Sequence, residues 1–233
     1  MSQNPIQRRI NAIFSRQAGG AQRPVFFDID ESYPALRVLE RQHAAIRAEL
    51  EALLVDRERI PRYHELSKAE TYISGTVNPD KSWRVFMLST MDGEVQNNAA
   101  RCPHTMAALR QVPHVLGAFF SILDPGKSIP AHDGPYTGYL RYHLALKVPA
   151  ENPPRLRVKD RFHTWQEGAS VLFDDSWSHE VINEAQELRV VLIVDVLRPM
   201  PWAYRQLNLF LTRVLGRYSE ELKEVRAKLK LST

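Results

Sequence analysis

The stretch from about residue 115 to residue 198 most constrains the fold. It breaks into short runs rich in β-branched, aromatic and aliphatic residues: "VLGAFFSILDPG", "YLRYHLALKVP", "RLRVKD", "SVLFDDSW", "HEVINEA" and "LRVVLIVDVLRP". Gly, Pro, Asn and Asp punctuate these runs, as turn residues do between strands. Spacing this close leaves no room for the crossover helices of a βαβ sheet, so the runs predict a sandwich or barrel. "SWRVFMLS", residues 82–89, adds an earlier strand. Helical patterns flank the β body. Residues 34–54 carry Leu36, Leu39, His43, Ile46, Leu50 and Leu53 at three- and four-residue steps, with Pro34 suited to a first turn. Residues 102–112 read as a short helix. Residues 202–230 read as a C-terminal helix with Leu207, Phe210, Leu211, Val214, Leu215 and Leu222 on one side. The expected class is mainly β with flanking helices. The predicted organisation is a polar, loosely ordered segment over 1–24 with one amphipathic turn or two, a single domain over 25–200, and a helical extension over 201–233.

Composition narrows the setting. The chain has 233 residues, 44% of them hydrophobic, enough to bury a core. Its one cysteine, Cys102, rules out an internal disulfide, reads as a small buried hydrophobe and points to a reducing compartment. No apolar run reaches the length of a membrane span, and the N-terminus has no continuous apolar core of a secretion signal. The expected location is cytoplasmic, with peripheral contact to the inner membrane as an option. Net charge is +4. That balance suits a basic-leaning surface or contact with anionic lipid, and no motif suggests nucleic acid.

"IPAHDGPYTGYLRYHLALKVP", residues 129–149, carries the chemistry. His132 is followed by Asp133 and Gly134, so the carboxylate of a His-x-Asp metal motif is absent. Asp133 is the immediate neighbour of His132 on a strand and faces the other side. His179 stands in "FDDSWSHEVIN", and Arg189 follows ten residues later in the next strand-like run. A histidine at one strand end and an arginine on the adjacent antiparallel strand can face one cavity. The histidine can hold a metal while the guanidinium grips a carboxylate a small molecule's length away. 2-Oxoglutarate, chelating at one end and anionic at the other, is such a molecule. Arg141 and His143, two apart, share one face of their strand. Asp174 or Asp175 could orient His179, and Trp165, Trp177, His43 and His64 read as structural. His163 reads as a surface loop residue.

The stretches "FSILDPG", "AHDGP", "LRYHLAL", "TWQEGASVLFDDSWSHEV" and "LRVVLIVDVLRP", in this order, resemble the aspartyl/asparaginyl β-hydroxylase domain family, whose relatives include lipid A hydroxylases. The resemblance runs from about Trp83 to Pro199. It implies a double-stranded β-helix (jelly-roll, cupin-like) core and an Fe(II)/2-oxoglutarate-dependent dioxygenase that uses O2 as co-substrate. Family members with His-x-Gly hold iron through two histidines alone. Carried over, His132 and His179 ligate Fe(II), Arg189 and Ser121 hold the far carboxylate of 2-oxoglutarate, and Arg141 and His143 contact its metal-side carboxylate. Tyr136 and Tyr139 line the proposed mouth as substrate contacts. Tyr139 stands where peptidyl members place a second arginine for an acidic substrate, a departure that weakens the case for a peptide aspartate. The implied substrate is first an Asp/Asn-type or related amino-acid residue, then a lipid acyl chain. A non-catalytic metal-binding β module is the reading from another class. Small molecules, peptides or lipids are the expected partners, and the oligomeric state stays open.

Overall fold

The computed structural model of the protein describes residues 5–67, 71–218 and 220–231. Eleven strands are found among them: β1 Phe26–Phe27, β2 Trp83–Thr90, β3 Gly93–Glu94, β4 Val115–Leu123, β5 Ile129–His132, β6 Tyr139–Lys147, β7 Arg155–Val158, β8 Arg161–Thr164, β9 Ser170–Phe173, β10 His179–Ile182 and β11 Arg189–Leu197. They form a seven-stranded sheet, β1-β9-β6-β11-β4-β2-β3, and a four-stranded sheet, β5-β10-β7-β8. All pairings are antiparallel. From β4 onward the chain passes repeatedly between the two sheets, the winding of a double-stranded β-helix.

Period-two alternation sorts the side chains of the large sheet. Even positions on β6 and β11, such as Leu140, Tyr142, Leu144, Val190, Leu192 and Val194, face outward into one apolar cluster. The helices α1 Pro5–Gln17, α2 Ile29–Ser32, α3 Arg37–Arg41, α4 His43–Leu54, α5 Tyr63–Leu66, α6 Thr71–Gly75, α7 Gln96–Ala100 and α8 Pro103–Leu109 precede or interrupt the strands. Of these, α2, α3, α4, α7 and α8 cover that cluster, with Leu39, Ile46, Leu50, Met106 and Leu109 among the residues they supply to it. Odd positions face the space between the sheets. There Trp83, Val85, Phe119, Ala145, Val171, Phe173 and Val191 meet Leu156, Val158 and Val181 of the small sheet. Two helices follow the strands, α9 Trp202–Tyr218 and α10 Glu220–Leu231.

Four expectations change. The N-terminal segment is not a turn or two but the thirteen-residue α1, because Phe14 is fully buried and meets Tyr136 edge-on at 5.9 Å. The helix expected over 34–54 is broken into a 3₁₀ turn at Pro34–Leu36, then α3, then α4 from His43. On α9 the inward face is Asn208 and Thr212, with Leu211 half-buried beside them as expected, while Leu207 and Phe210 face out. The side chains of Leu215 and Leu222 lie outside the described residues. His163 belongs to β8 and lies edge-on to Trp165, so it is part of a strand and not of a surface loop.

Candidate active site

β5 and β10 pair antiparallel with His132 directly opposite His179. The two rings lie 4.2 Å apart, centroid to centroid, inclined by 52°. Each ring is tied from behind in the same way. His132 Nδ1 is 2.8 Å from the Pro130 carbonyl, and His179 Nδ1 is 3.0 Å from the Trp177 carbonyl. A carbonyl only accepts, so both Nδ1 atoms carry the proton and both Nε2 atoms keep a bare lone pair. Burial lowers both imidazole pKa values, and for His179 the adjacent His132 adds to the effect. The result is a pair of neutral, oriented nitrogen donors, the form a metal needs. Asp133 is exposed.

Gly134 is required by close approach. Its N–H donates to the Asp175 carbonyl at 2.8 Å, and a Cβ on residue 134 would lie 2.6–2.8 Å from the Asp175 carboxylate atoms. No side chain fits, so no carboxylate can stand two places after His132. Asp175 itself is fully buried. It accepts from the Tyr139 hydroxyl at 2.8 Å and pairs with Arg141 Nη1 at 3.1 Å. Burial pushes its carboxyl up to about 7 against the opposing pull of Arg141. Arg141 also forms a bidentate pair with Asp195, at 2.8 and 2.9 Å, across the β6–β11 ladder. It is thus a cation already held by two carboxylates.

Arg189 is the opposite case. It is 1% exposed and has no ion pair among the described residues. Its Nη1 donates to Ser121 Oγ at a long 3.4 Å, its guanidinium lies 4.6 Å from the Trp165 ring, and its Nε has no partner. Ser121 Oγ accepts from Trp83 Nε1 as well, at 3.0 Å, which leaves its own proton to give. Burying a lone cation is costly, and burial alone pulls the Arg189 pKa down to about 9, still charged at neutral pH. Beside it, His143 lies between Trp165 and Phe173, with centroids at 5.8 and 4.9 Å, and neither ring nitrogen is bonded. Burial first, and then Arg189, holds His143 far below the usual imidazole pKa, so it is neutral.

His132, His179, His143, Arg189 and Ser121 therefore lie along the inner space of the β body, linked through Phe173 and Trp165. Arg141 faces the same interior, but through its carboxylate pairs. Tyr136 and Tyr139 do not stand at an open mouth. Both are 3% exposed, and their hydroxyls go to Asn208 and Asp175. The Asp174 and Asp175 carboxylates do not bond the His179 ring, though the Asp175 backbone carbonyl favours its protonated form. The Asp174 carboxylate takes Arg23 and Arg198 at 2.8 and 2.7 Å. Arg23 also covers Trp177 at 3.6 Å. Sequence reasoning missed Arg23, Trp83, Asp195 and Asn208. The signal for Asp195 was present in its even spacing from Arg189 on one strand, and that for Trp83 in its spacing from Val85 and Met87. Arg23 and Asn208 carry no local signal, because their partners are distant in the chain.

The donor set fits an iron site with two protein ligands. Two Nε2 atoms on adjacent rings are available, and among the described residues no cluster of three or more His, Cys, Asp or Glu could hold a metal. The orphaned Arg189 Nε and the protonated Ser121 hydroxyl fit the remote carboxylate of a chelating oxoacid. No helix among the described residues is long and apolar enough to cross a membrane.

Residues 40–199 match the family model described as Aspartyl/Asparaginyl beta-hydroxylase. The chain is 37% identical over 187 residues to an ornithine lipid ester-linked acyl 2-hydroxylase of Rhizobium tropici, covering 77% of this chain and 65% of that protein. It is 34% identical over 122 residues to the human aspartyl/asparaginyl beta-hydroxylase, covering 50% of this chain and 16% of that one. It is 32% identical over 185 residues to the rat aspartate beta-hydroxylase domain-containing protein 2, covering 75% of this chain and 51% of that one. The chain thus spans about 65% of the rhizobial relative and less of the two animal ones. On the matched residues and the fold together, the chain belongs to the aspartyl/asparaginyl β-hydroxylase family.

Proposed function

We propose that the protein is an Fe(II)/2-oxoglutarate-dependent hydroxylase that acts on the acyl chain of a lipid. The observation that carries the co-substrate is Arg189, a buried guanidinium with no carboxylate of its own, set beside a serine hydroxyl with a proton to give. Fe(II), with 2-oxoglutarate and O2, would supply the oxidising power that places one oxygen atom in a C–H bond while 2-oxoglutarate leaves as succinate and CO2. His132 and His179 would hold the metal through Nε2. Ser121 and Arg189 would bind the far carboxylate, a charge-assisted pair in a dry site. His143, kept neutral, can donate one hydrogen bond to the metal-side carboxylate without adding charge. Arg141, spoken for by Asp175 and Asp195, orients that wall and holds Asp175 against Gly134.

Two observations favour a lipid over the Asp/Asn-type residue that the resemblance first suggests. Tyr139, where an acid-reading arginine would stand, is buried and bonded to Asp175. The lipid-directed relative matches 77% of this chain, against 50% for the human peptidyl-type relative. The peptide reading retains the family description and the 34% identity. A succinate-release screen across ester-linked lipids, peptides and amino acids, read by a mass gain of one oxygen, separates them. Oxygen gain on an acyl chain is the expected result, and gain on a peptide Asp or Asn with none on lipid would overturn it. His132→Ala or His179→Ala abolishes turnover in either case.

A further inference from the structure

Helices α1 and α9 clasp the loop that follows His132. From α1, Gln7 and Asn11 both donate to the Pro135 carbonyl at 3.0 Å, and Asn11 accepts from the Thr137 N–H at 3.0 Å. From α9, Asn208 donates to the Gly138 carbonyl and accepts from the Tyr136 hydroxyl, both at 2.6 Å. These bonds, with Phe14 and Ile10 of α1 and Tyr204, Leu209 and Leu211 of α9 packed on one apolar cluster, commit the inner faces of both helices. Large apolar side chains also stand on their outer faces. Trp202 is 76% exposed, Phe210 62% and Leu207 42%; on α1, Ile6 is 71% and Ile13 44% exposed. The exposed arginines Arg9 and Arg16 of α1, and Arg205 and Arg213 of α9, stand among them, and neither helix contains an aspartate or glutamate.

We propose that the outer faces of α9 and α1 dock on an anionic lipid bilayer. A helix with large apolar side chains facing water and only cations among its charges matches the acyl–headgroup boundary, where Trp and Phe enter and Arg meets phosphate. Charge decides between a bilayer and a second copy of the chain. Apposing two such faces sets arginine against arginine with no carboxylate on either helix to compensate. An anionic surface complements every charged side chain of the two helices, and the clasped loop adds one exposed carboxylate, Asp133. The docking rests on the lipid reading for its purpose, but on these two helices for its evidence. It would bring the loop of residues 133–138, and with it His132, to the membrane plane where an ester-linked acyl chain is found.

The test uses the full chain and vesicle co-sedimentation. Vesicles of phosphatidylcholine alone are compared with vesicles of phosphatidylcholine and phosphatidylglycerol. The wild-type protein binds the anionic vesicles at least about tenfold more tightly than the neutral ones, and added salt weakens the binding. Trp202→Ser with Phe210→Ser lowers that affinity about tenfold or more, and so does Arg9→Glu with Arg213→Glu. Both double variants keep wild-type turnover of detergent-dispersed lipid. If the apolar variant does not fold, the charge variant decides alone. Absence of wild-type binding, or equal binding by wild type and a folded variant, overturns the proposal. So does concentration-dependent self-association abolished by Trp202→Ser with Phe210→Ser, which would assign the face to a second copy. Vesicle binding without acyl oxygenation would leave the docking and remove the lipid reading; oxygenation in detergent without vesicle binding would do the reverse.

Discussion

Arg189 makes the ligand-free protein less stable than it needs to be. A buried cation with one long hydrogen bond and an aromatic face does not recover its desolvation cost, whereas a dicarboxylate ligand would. Arg189→Met therefore has two opposite outcomes. The requirement for 2-oxoglutarate rises by about ten- to a hundredfold, from loss of a charge-assisted contact of roughly 1.5–3 kcal/mol. Thermal unfolding of the ligand-free variant shows no loss of stability, and a fall of several degrees would mean that the guanidinium is already compensated. Gly134 carries the second prediction at this scale. Gly134→Asp does not create a third metal ligand, because its Cβ would overlap the Asp175 carboxylate, and overpacking costs about 1–3 kcal/mol in urea unfolding. A variant as stable as wild type would show that Asp175 can step aside. Arg189 was legible from its ten-residue interval after His179, and the roles of His132 and His179 from the family resemblance. The strands of His179 and Arg189 are not the neighbours expected: β10 belongs to the four-stranded sheet and β11 to the seven-stranded one, and the two residues meet across the inner space instead. The missing carboxylate was legible only as a gap, since its cause, Asp175, comes from a distant part of the chain.

Elements were legible where their pattern is internal to them. The strands of the β body follow period two, and six of them were read close to their observed limits. α1 was not, because thirteen residues with three arginines form a marginal helix in isolation, and Phe14 stabilises it only by packing with residues distant in the chain, Leu116, Tyr136, Tyr139 and Leu197. Phe14→Ala is expected to cost about 3–5 kcal/mol, measured by urea unfolding. A loss under 1 kcal/mol, by the same scale, would mean that α1 adds little to the fold. α9 was misread in orientation. Hydrophobic periodicity favoured Leu207 and Phe210 as its inner stripe, but hydrogen bonds from the loop of residues 134–138 select Asn208 for the inside. α8 supplies a chemical check. Cys102 caps its start and is fully buried, and its thiol is pushed up to about 12, by burial first and by Glu49 second. The raised value leaves almost no thiolate at pH near 8. A disulfide reagent should therefore find no reactive thiol in the native protein and one equivalent after denaturation.

At the scale of the whole molecule, the large sheet separates two functions. Its outer face is a dry apolar contact with α3, α4 and α8, and its inner face mixes apolar residues with Ser121, Arg141, His143, Arg189 and Asp195. Stability is thereby held apart from chemistry, and His143 and Arg189, assigned to ligands, are among the inner groups that lack partners, together with Trp165 Nε1 and Asp175 Oδ1. Binding energy at the inner face should then appear as fold stability. The most direct measurement is an anaerobic titration of the Fe(II)-loaded protein with 2-oxoglutarate, followed by visible absorption and thermal unfolding. A weak charge-transfer band should saturate with the co-substrate, the unfolding temperature should rise over the same range, and the band should be lost in His179→Ala. Full development of the band in His179→Ala, or no band at any 2-oxoglutarate concentration in the wild-type protein, would contradict the assignment of the site.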